Sequence, residues 1–353
     1  MFPGERAEAV LYKQRTDKVP FVVYNKMIPT CESEREFRNR GLAVVQGVNV
    51  FECICPDVKE KSCHFSEDGR STILTELQTP AGTLTMKQVD QQLDTAAGRT
   101  VFTVEKFFKG PEDYKKLLAW IKARKFIPAY EKYRKTVAGL GRDFIIRTGI
   151  GLDPLHMMIN QYMGIETFCM EWEDNRDEIM KIYDALVEER RLQSEIIADS
   201  PAKFLNYGGN IVAEIIGRER FEKFVMPCFQ ETANILHSKG KLMGSHFDAN
   251  CKNIADLIDR SGFDYIEAFT PDPDTDMTMQ DAYKAWPDKV MWMNFPSSIH
   301  LSDYKTIKET AIGILDDSKG KHLLIEVSED VPDSRWRESF KAIMDAIDEH
   351  IHN

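Results

Sequence analysis

Short apolar runs alternate with amphipathic stretches along most of this chain. From about residue 111 the alternation becomes regular. Pro111–Ala123 reads as a helix, Asp143–Gly149 as an apolar strand, and Leu155–Met163 and Arg176–Ile197 as helices. The strands Lys203–Tyr207, Lys241–His246, Tyr265–Phe269, Val290–Asn294 and Leu323–Val327 follow. The helices Arg218–Ser238 (broken near Pro227), Asn253–Ser261, Thr278–Trp286, Asp303–Ser318 and Ser334–His350 separate and follow them. Each strand is short, apolar and followed by a helix, the pattern of a parallel sheet buried on both faces. The units are too many for a dinucleotide-binding sheet, and no Gly-x-Gly-x-x-Gly opens one. The expected fold is therefore α/β, a (β/α)8 barrel of the TIM type.

The first third differs. Residues 4–15 read as a helix and Val19–Tyr24 as a strand. Residues 42–105 are strand-rich, with Leu42–Val50, Ser71–Leu77 and Gly82–Val89, and a turn at Thr79–Gly82. The chain is thus expected to be one barrel domain over 1–353. Residues 1–110 would form an N-terminal strand-rich elaboration and 111–353 the main βα repeats.

Composition narrows the function. The 353 residues are 42% hydrophobic and 29% charged, an ordinary globular balance. The net charge of −11 argues against a nucleic-acid partner. There is no apolar run long enough to span a membrane, and the N-terminus lacks the basic start and apolar stretch of a secretory signal. Seven dispersed cysteines fit a reducing compartment, so the cytoplasm is expected. Cys53, Cys55, Cys63 and His64 cluster, but Cys-x-Cys lacks usual zinc spacing, and a buried strand with its connecting loop is the plainer reading.

Chemistry in a barrel of this kind sits at the C-terminal ends of the strands. Those ends carry Asn206, Tyr207 and Asn210, then His246 and Asp248, then Glu267 and Phe269, then Asn294, and last Glu326, followed by Ser328, Glu329 and Asp330. His246 and Asp248 are two apart on extended chain and can face one side. With Glu326 they make a nitrogen-and-oxygen metal set suited to zinc acting as a Lewis acid. Alternatively His246 and Asp248 form a hydrogen-bonded pair that orients substrate or moves a proton, or they are structural. His246, Asp248 and Glu267 are the catalytic candidates. Glu267 would donate a proton if burial raises its pKa. Tyr207, Asn210, Phe269 and Asn294 are the candidates for binding substrate.

Several segments resemble the uroporphyrinogen decarboxylase superfamily. They are Arg6, Asp17-Lys18-Val19-Pro20, Thr79–Thr83, Gly240–Asp248, Ile266–Pro271, Trp292–Pro296 and Ile325–Val327. The resemblance implies a (β/α)8 barrel with a cleft on its C-terminal face, and makes a homodimer an expectation. True decarboxylases of that superfamily carry an Arg-Gln-Ala-Gly-Arg segment near the N-terminus. This chain has Tyr24-Asn25-Lys26-Met27-Ile28-Pro29 there, so an acidic tetrapyrrole would lack its cationic clamp. The resemblance is nearer the corrinoid-linked methyltransferases, whose thiol-methylating members hold zinc through His-x-Cys and a late Cys. Here His246 is kept, Asp248 replaces the first Cys, and Glu326 lies near the place of the second. Oxygen ligands leave zinc more Lewis acidic, better suited to polarising an ether oxygen than to holding a thiolate. The resemblance therefore implies demethylation of a small, methoxylated substrate. The chain has no Asp-x-His-x-x-Gly signature, so the corrinoid would be carried by a partner protein. The alternative is a decarboxylase of a small carboxylic acid, with Arg147 and His246 as candidates to hold the carboxylate. A non-enzymatic binder of a corrinoid or tetrapyrrole is the third possibility.

Overall fold

Runs rich in β-branched and aromatic residues build the wall of a closed barrel. Its strands are β1 (Phe21–Tyr24), β2 (Leu42–Gly47), β3 (Phe144–Gly151), β4 (Phe204–Tyr207), β5 (Leu242–His246), β6 (Tyr265–Phe269), β7 (Val290–Asn294) and β8 (Leu323–Val327). All pairs are parallel and each strand lies beside its neighbour in sequence, with β8 closing onto β1. The structure, a computed structural model, describes residues 1–91, 100–209 and 211–350. The expected (β/α)8 barrel is thus the observed fold, with additional antiparallel sheets. β6, β7 and β8 begin and end where the apolar pattern puts them. No described helix is long and apolar enough to cross a membrane.

The chain divides into two units. The first, residues 1–50, 130–151 and 197–353, holds the whole barrel. Residues 1–50, expected within an N-terminal elaboration, instead supply β1 and β2 to the wall. The βα rhythm hides this because the next strand of the wall, β3, comes only at residue 144. The second unit, residues 51–129 and 152–196, carries a four-stranded antiparallel sheet of Lys59–Glu67, Arg70–Thr79, Gly82–Gln91 and Thr100–Glu105. Phe51–Ile54 pairs with Lys125–Pro128 in the same unit. Cys63 and His64 lie on Lys59–Glu67, all nine residues of which are exposed. Cys53 is also exposed and Cys55 half-buried, so the expected buried strand is absent there. Among the described residues these four do not gather into a metal-binding group.

Side chains alternate across each strand of the wall. Val22, Ala43, Val45, Ile145, Phe204, Tyr265, Val290, Trp292 and Leu324 form one buried cluster with Ala7, Val10 and Leu11 of the helix Pro3–Leu11. This is the apolar filling of the barrel. Gly244 belongs to it by omission, since a Cβ there would stand 2.1 Å from the Tyr265 ring. The Tyr265 hydroxyl donates to the Leu205 carbonyl at 2.7 Å, which satisfies the one polar atom of a fully buried ring.

Candidate functional site

Continuing the same alternation by one pleat toward the strands' C-terminal ends replaces apolar residues with polar ones. Val22 gives way to Tyr24, Ile145 to Arg147, Phe204 to Asn206, Tyr265 to Glu267 and Leu324 to Glu326. Registers set these side by side: His246 opposite Glu267, and Asn294 opposite Glu326.

Glu267 is the hub and is fully buried. Its Oε1 accepts from the Tyr24 hydroxyl and from the Arg147 guanidinium, which also donates to the Tyr24 oxygen at 2.8 Å. Its Oε2 accepts from Asn206 Nδ2 at 3.0 Å and meets His246 Nδ1 at 2.8 Å. Burial pushes the carboxyl pKa up, but the charges of Arg147 and His246 and these hydrogen bonds outweigh it, so Glu267 is held ionised. The expected role of Glu267 as a proton donor is thereby overturned. Burial did not decide its state, because the donors on four other strands did.

Ala268 follows in left-handed backbone, φ +55°, at a register shift between Glu267 and Phe269. An extra residue in a strand reverses the side-chain parity beyond it. Phe269 therefore leaves the face that Glu267 occupies and stacks edge-on to Trp286 at 5.5 Å. That backbone is costly for a residue with a Cβ, and it sits where the site's central carboxylate is aimed.

His246 turns its other nitrogen toward Asp248, Nε2 to Oδ2 at 3.2 Å. Burial disfavours the imidazolium, yet Glu267 and Asp248 together raise its pKa to about 11. Donor atoms of His246, Asp248 and Glu329 all lie within 4.8 Å of one another. Glu329 is half-buried, and burial together with the Asp248 charge raises its pKa. This differs from the expected metal set, since Glu329 stands where Glu326 was placed. The loop after β8 carries its third residue beyond Glu326 back over the mouth.

The trio fits a divalent cation. One imidazole nitrogen and two carboxylates give three protein ligands, and the second ring nitrogen of His246 is already fixed by a carboxylate, as in metal-bound histidines. A cation there would also relieve the repulsion between Asp248 and Glu329.

Glu326 lies inside the barrel, fully buried, with no hydrogen-bond partner for either carboxylate oxygen. Burial and the Glu267 charge raise its pKa well above the ordinary range. The Trp292 indole favours the ionised form only weakly, since its N–H is not at hydrogen-bonding geometry.

The remaining candidates are placed differently. Tyr207 is buried against Phe229, ring centroids 4.7 Å apart, and its hydroxyl meets Thr232 at 2.7 Å. Asn294 spends its amide on Thr270 Oγ1 and its carbonyl on the Ser328 N–H, tying the ends of β6, β7 and β8. Asn210 lies outside the described residues. Tyr24 and Asn206 join the site without having been singled out as binding or catalytic groups. Asn206 stands among the strand-end residues already noted, and stepping two residues along from the apolar position Val22 would have found Tyr24.

Gly209 completes the setting of His246. A Cβ there would fall 2.1 Å from imidazole Cδ2 and 2.6 Å from Cγ. Gly209→Ala is expected to displace the ring from Glu267 while the barrel stays folded. Metal affinity should fall about 10–100-fold, as when an outer partner of a ligating histidine is lost. Titration calorimetry with zinc, beside a melting curve, checks this; unchanged affinity would show that the ring tolerates the shift.

Fold and site together define a (β/α)8-barrel protein with a charged, histidine-centred cluster at the strands' C-terminal ends. Over 99% of both chains the structure is similar to a methyltransferase from Methanosarcina mazei, with a TM-score of 0.61 and 14% identity. Lower similarity links it to a D-psicose 3-epimerase (TM-score 0.34, 9% identity, 67% of this chain and 82% of that one). It is also similar to a broad-specificity endoglucanase from an uncultured bacterium (TM-score 0.37, 8% identity, 65% and 75%). No protein-family model matches the chain, and no curated protein matches it.

Proposed function

We propose that the protein is a methyltransferase that takes a methyl group from a small methoxylated molecule and passes it to a corrinoid on a separate protein. The observation that carries this reading is the convergence of His246, Asp248 and Glu329 at the barrel mouth, with His246 anchored from below by Glu267. The full-length likeness in fold to a methyltransferase supports it. Zinc held by the three residues would supply a Lewis acid for the ether oxygen. Glu267 would fix the tautomer and orientation of His246. Arg147 and Tyr24 would keep Glu267 ionised and in place. A decarboxylase would need a cation to grip its substrate carboxylate, and Arg147 is already engaged by Glu267 and Tyr24. The cytoplasm remains the proposed compartment, in keeping with seven free cysteines.

The test is bound metal by mass spectrometry on tag-free protein offered zinc, beside His246→Ala. Near-stoichiometric zinc in the parent and its loss in the variant are expected. Methyl transfer from a methoxyphenol should then be visible as a change in corrinoid absorbance. Absence of metal in both proteins would sink the zinc mechanism.

A further inference from the structure

Resting on the methyl-transfer reading, we infer that Glu326 stores the proton that the leaving oxygen takes up when its methyl group departs. In ether demethylation the acceptor gives the electron pair for the new bond to carbon. The C–O bonding pair stays on oxygen, which then needs a proton. The groups around the site are otherwise committed. Both oxygens of Glu267 already accept two hydrogen bonds each. His246 is engaged at Nδ1 by Glu267 and would give its other nitrogen to the metal. Asp248 and Glu329 would be metal ligands and therefore ionised. Tyr24 gives its proton to Glu267, and Arg147 does not deprotonate.

Glu326 is the carboxyl that is fully buried with both oxygens unpaired and is not one of the metal-site residues. It is fully buried on β8, beside Val22 of β1 and Asn294 of β7. Charged and titratable groups facing it are Tyr24 from β1, Arg147 from β3, His246 from β5, and Glu267 and Tyr265 from β6, with Trp292 from β7. A protonated carboxyl with no acceptor is a donor waiting for one, and a fully buried carboxyl with both oxygens unpaired is costly to keep unless it acts. Its ionisation is opposed by burial and by Glu267, so it holds its proton well above the ordinary carboxyl range. After transfer, water entering as product leaves would restore it.

Glu326→Gln keeps the shape and removes the proton. With a methoxyphenol, whose leaving oxygen is basic, kcat should fall at least about 100-fold, the usual contribution of a general acid. With a nitro-substituted methoxyarene, whose phenolate needs no proton, the loss should be under about tenfold. Zinc content should be unchanged. Equal losses on both substrates would overturn the assignment. A second measurement does not depend on turnover. Infrared spectra near pH 7 should show a protonated-carboxyl band that disappears in Glu326→Gln. That band, even in a protein that transfers no methyl group, would uphold proton storage while the methyl-transfer reading fell. Its absence would overturn proton storage whatever the activity.

Discussion

Glu267→Ala is expected to lower the free energy of unfolding by about 3–5 kcal/mol, the usual cost of leaving one partner of a buried ion pair uncompensated. Arg147 would then face the barrel interior without its carboxylate, while Tyr24, Asn206 and His246 would each lose an acceptor. The desolvation already spent on the guanidinium cannot be recovered, because the barrel filling beneath it is close-packed. Urea denaturation of the metal-free protein measures the effect. The companion variant Arg147→Met in the Glu267→Ala background separates an uncompensated charge from lost packing. Removing the stranded cation should restore a large part of the stability. A double variant no more stable than the single one would show that the ion pair is not the cause. His246 should also lose its elevated pKa in Glu267→Ala, since Glu267 is the main charge supporting its protonated form.

Glu326 should make stability depend on pH in the opposite sense to an ordinary paired carboxylate. Its folded-state pKa is raised, so the folded chain keeps a proton that the unfolded chain releases above about 4.5. The contribution is therefore fully present below that value and is lost as pH rises toward the folded-state pKa. Relative to Glu326→Gln, the wild type should lose stability with a slope approaching about 1.4 kcal/mol per pH unit as pH rises above about 5. Unfolding in urea at several pH values, on metal-free protein, gives the comparison. Parallel curves would mean that Glu326 is ionised in the folded state. Glu267 works the other way. Its lowered pKa gives stability present above about 4.5 and lost as pH falls through its folded value. His246, raised to about 11, gives stability present below 6.5 and lost as pH rises toward 11.

Much of this barrel is legible in the chain because strands such as β6, β7 and β8 are buried on both faces and read as short apolar runs. β6, β7 and β8 follow that pattern to the residue. β1 and β2 are equally apolar, but the long stretch of second-unit chain before β3 separates them from the repeat. At the site, the strand-end rule locates His246, Asp248, Glu267 and Glu326. It misassigns Phe269, because a one-residue bulge at Ala268 is not written in the hydrophobic pattern.

By itself, then, the sequence determined the fold class and the strands whose ends meet, since burial of apolar runs is a local property of residue type and spacing. Only the tertiary structure decided what each acid does. Glu267 and Glu326 are the same residue type, both buried on wall strands one apart, β6 and β8. One is ionised because Tyr24, Arg147, Asn206 and His246 converge on it from four other strands. The other keeps its proton because no donor reaches its oxygens, and burial with the Glu267 charge outweighs Arg147 and His246. A carboxyl group's state follows from the partners around it, and those partners come together only when the barrel closes.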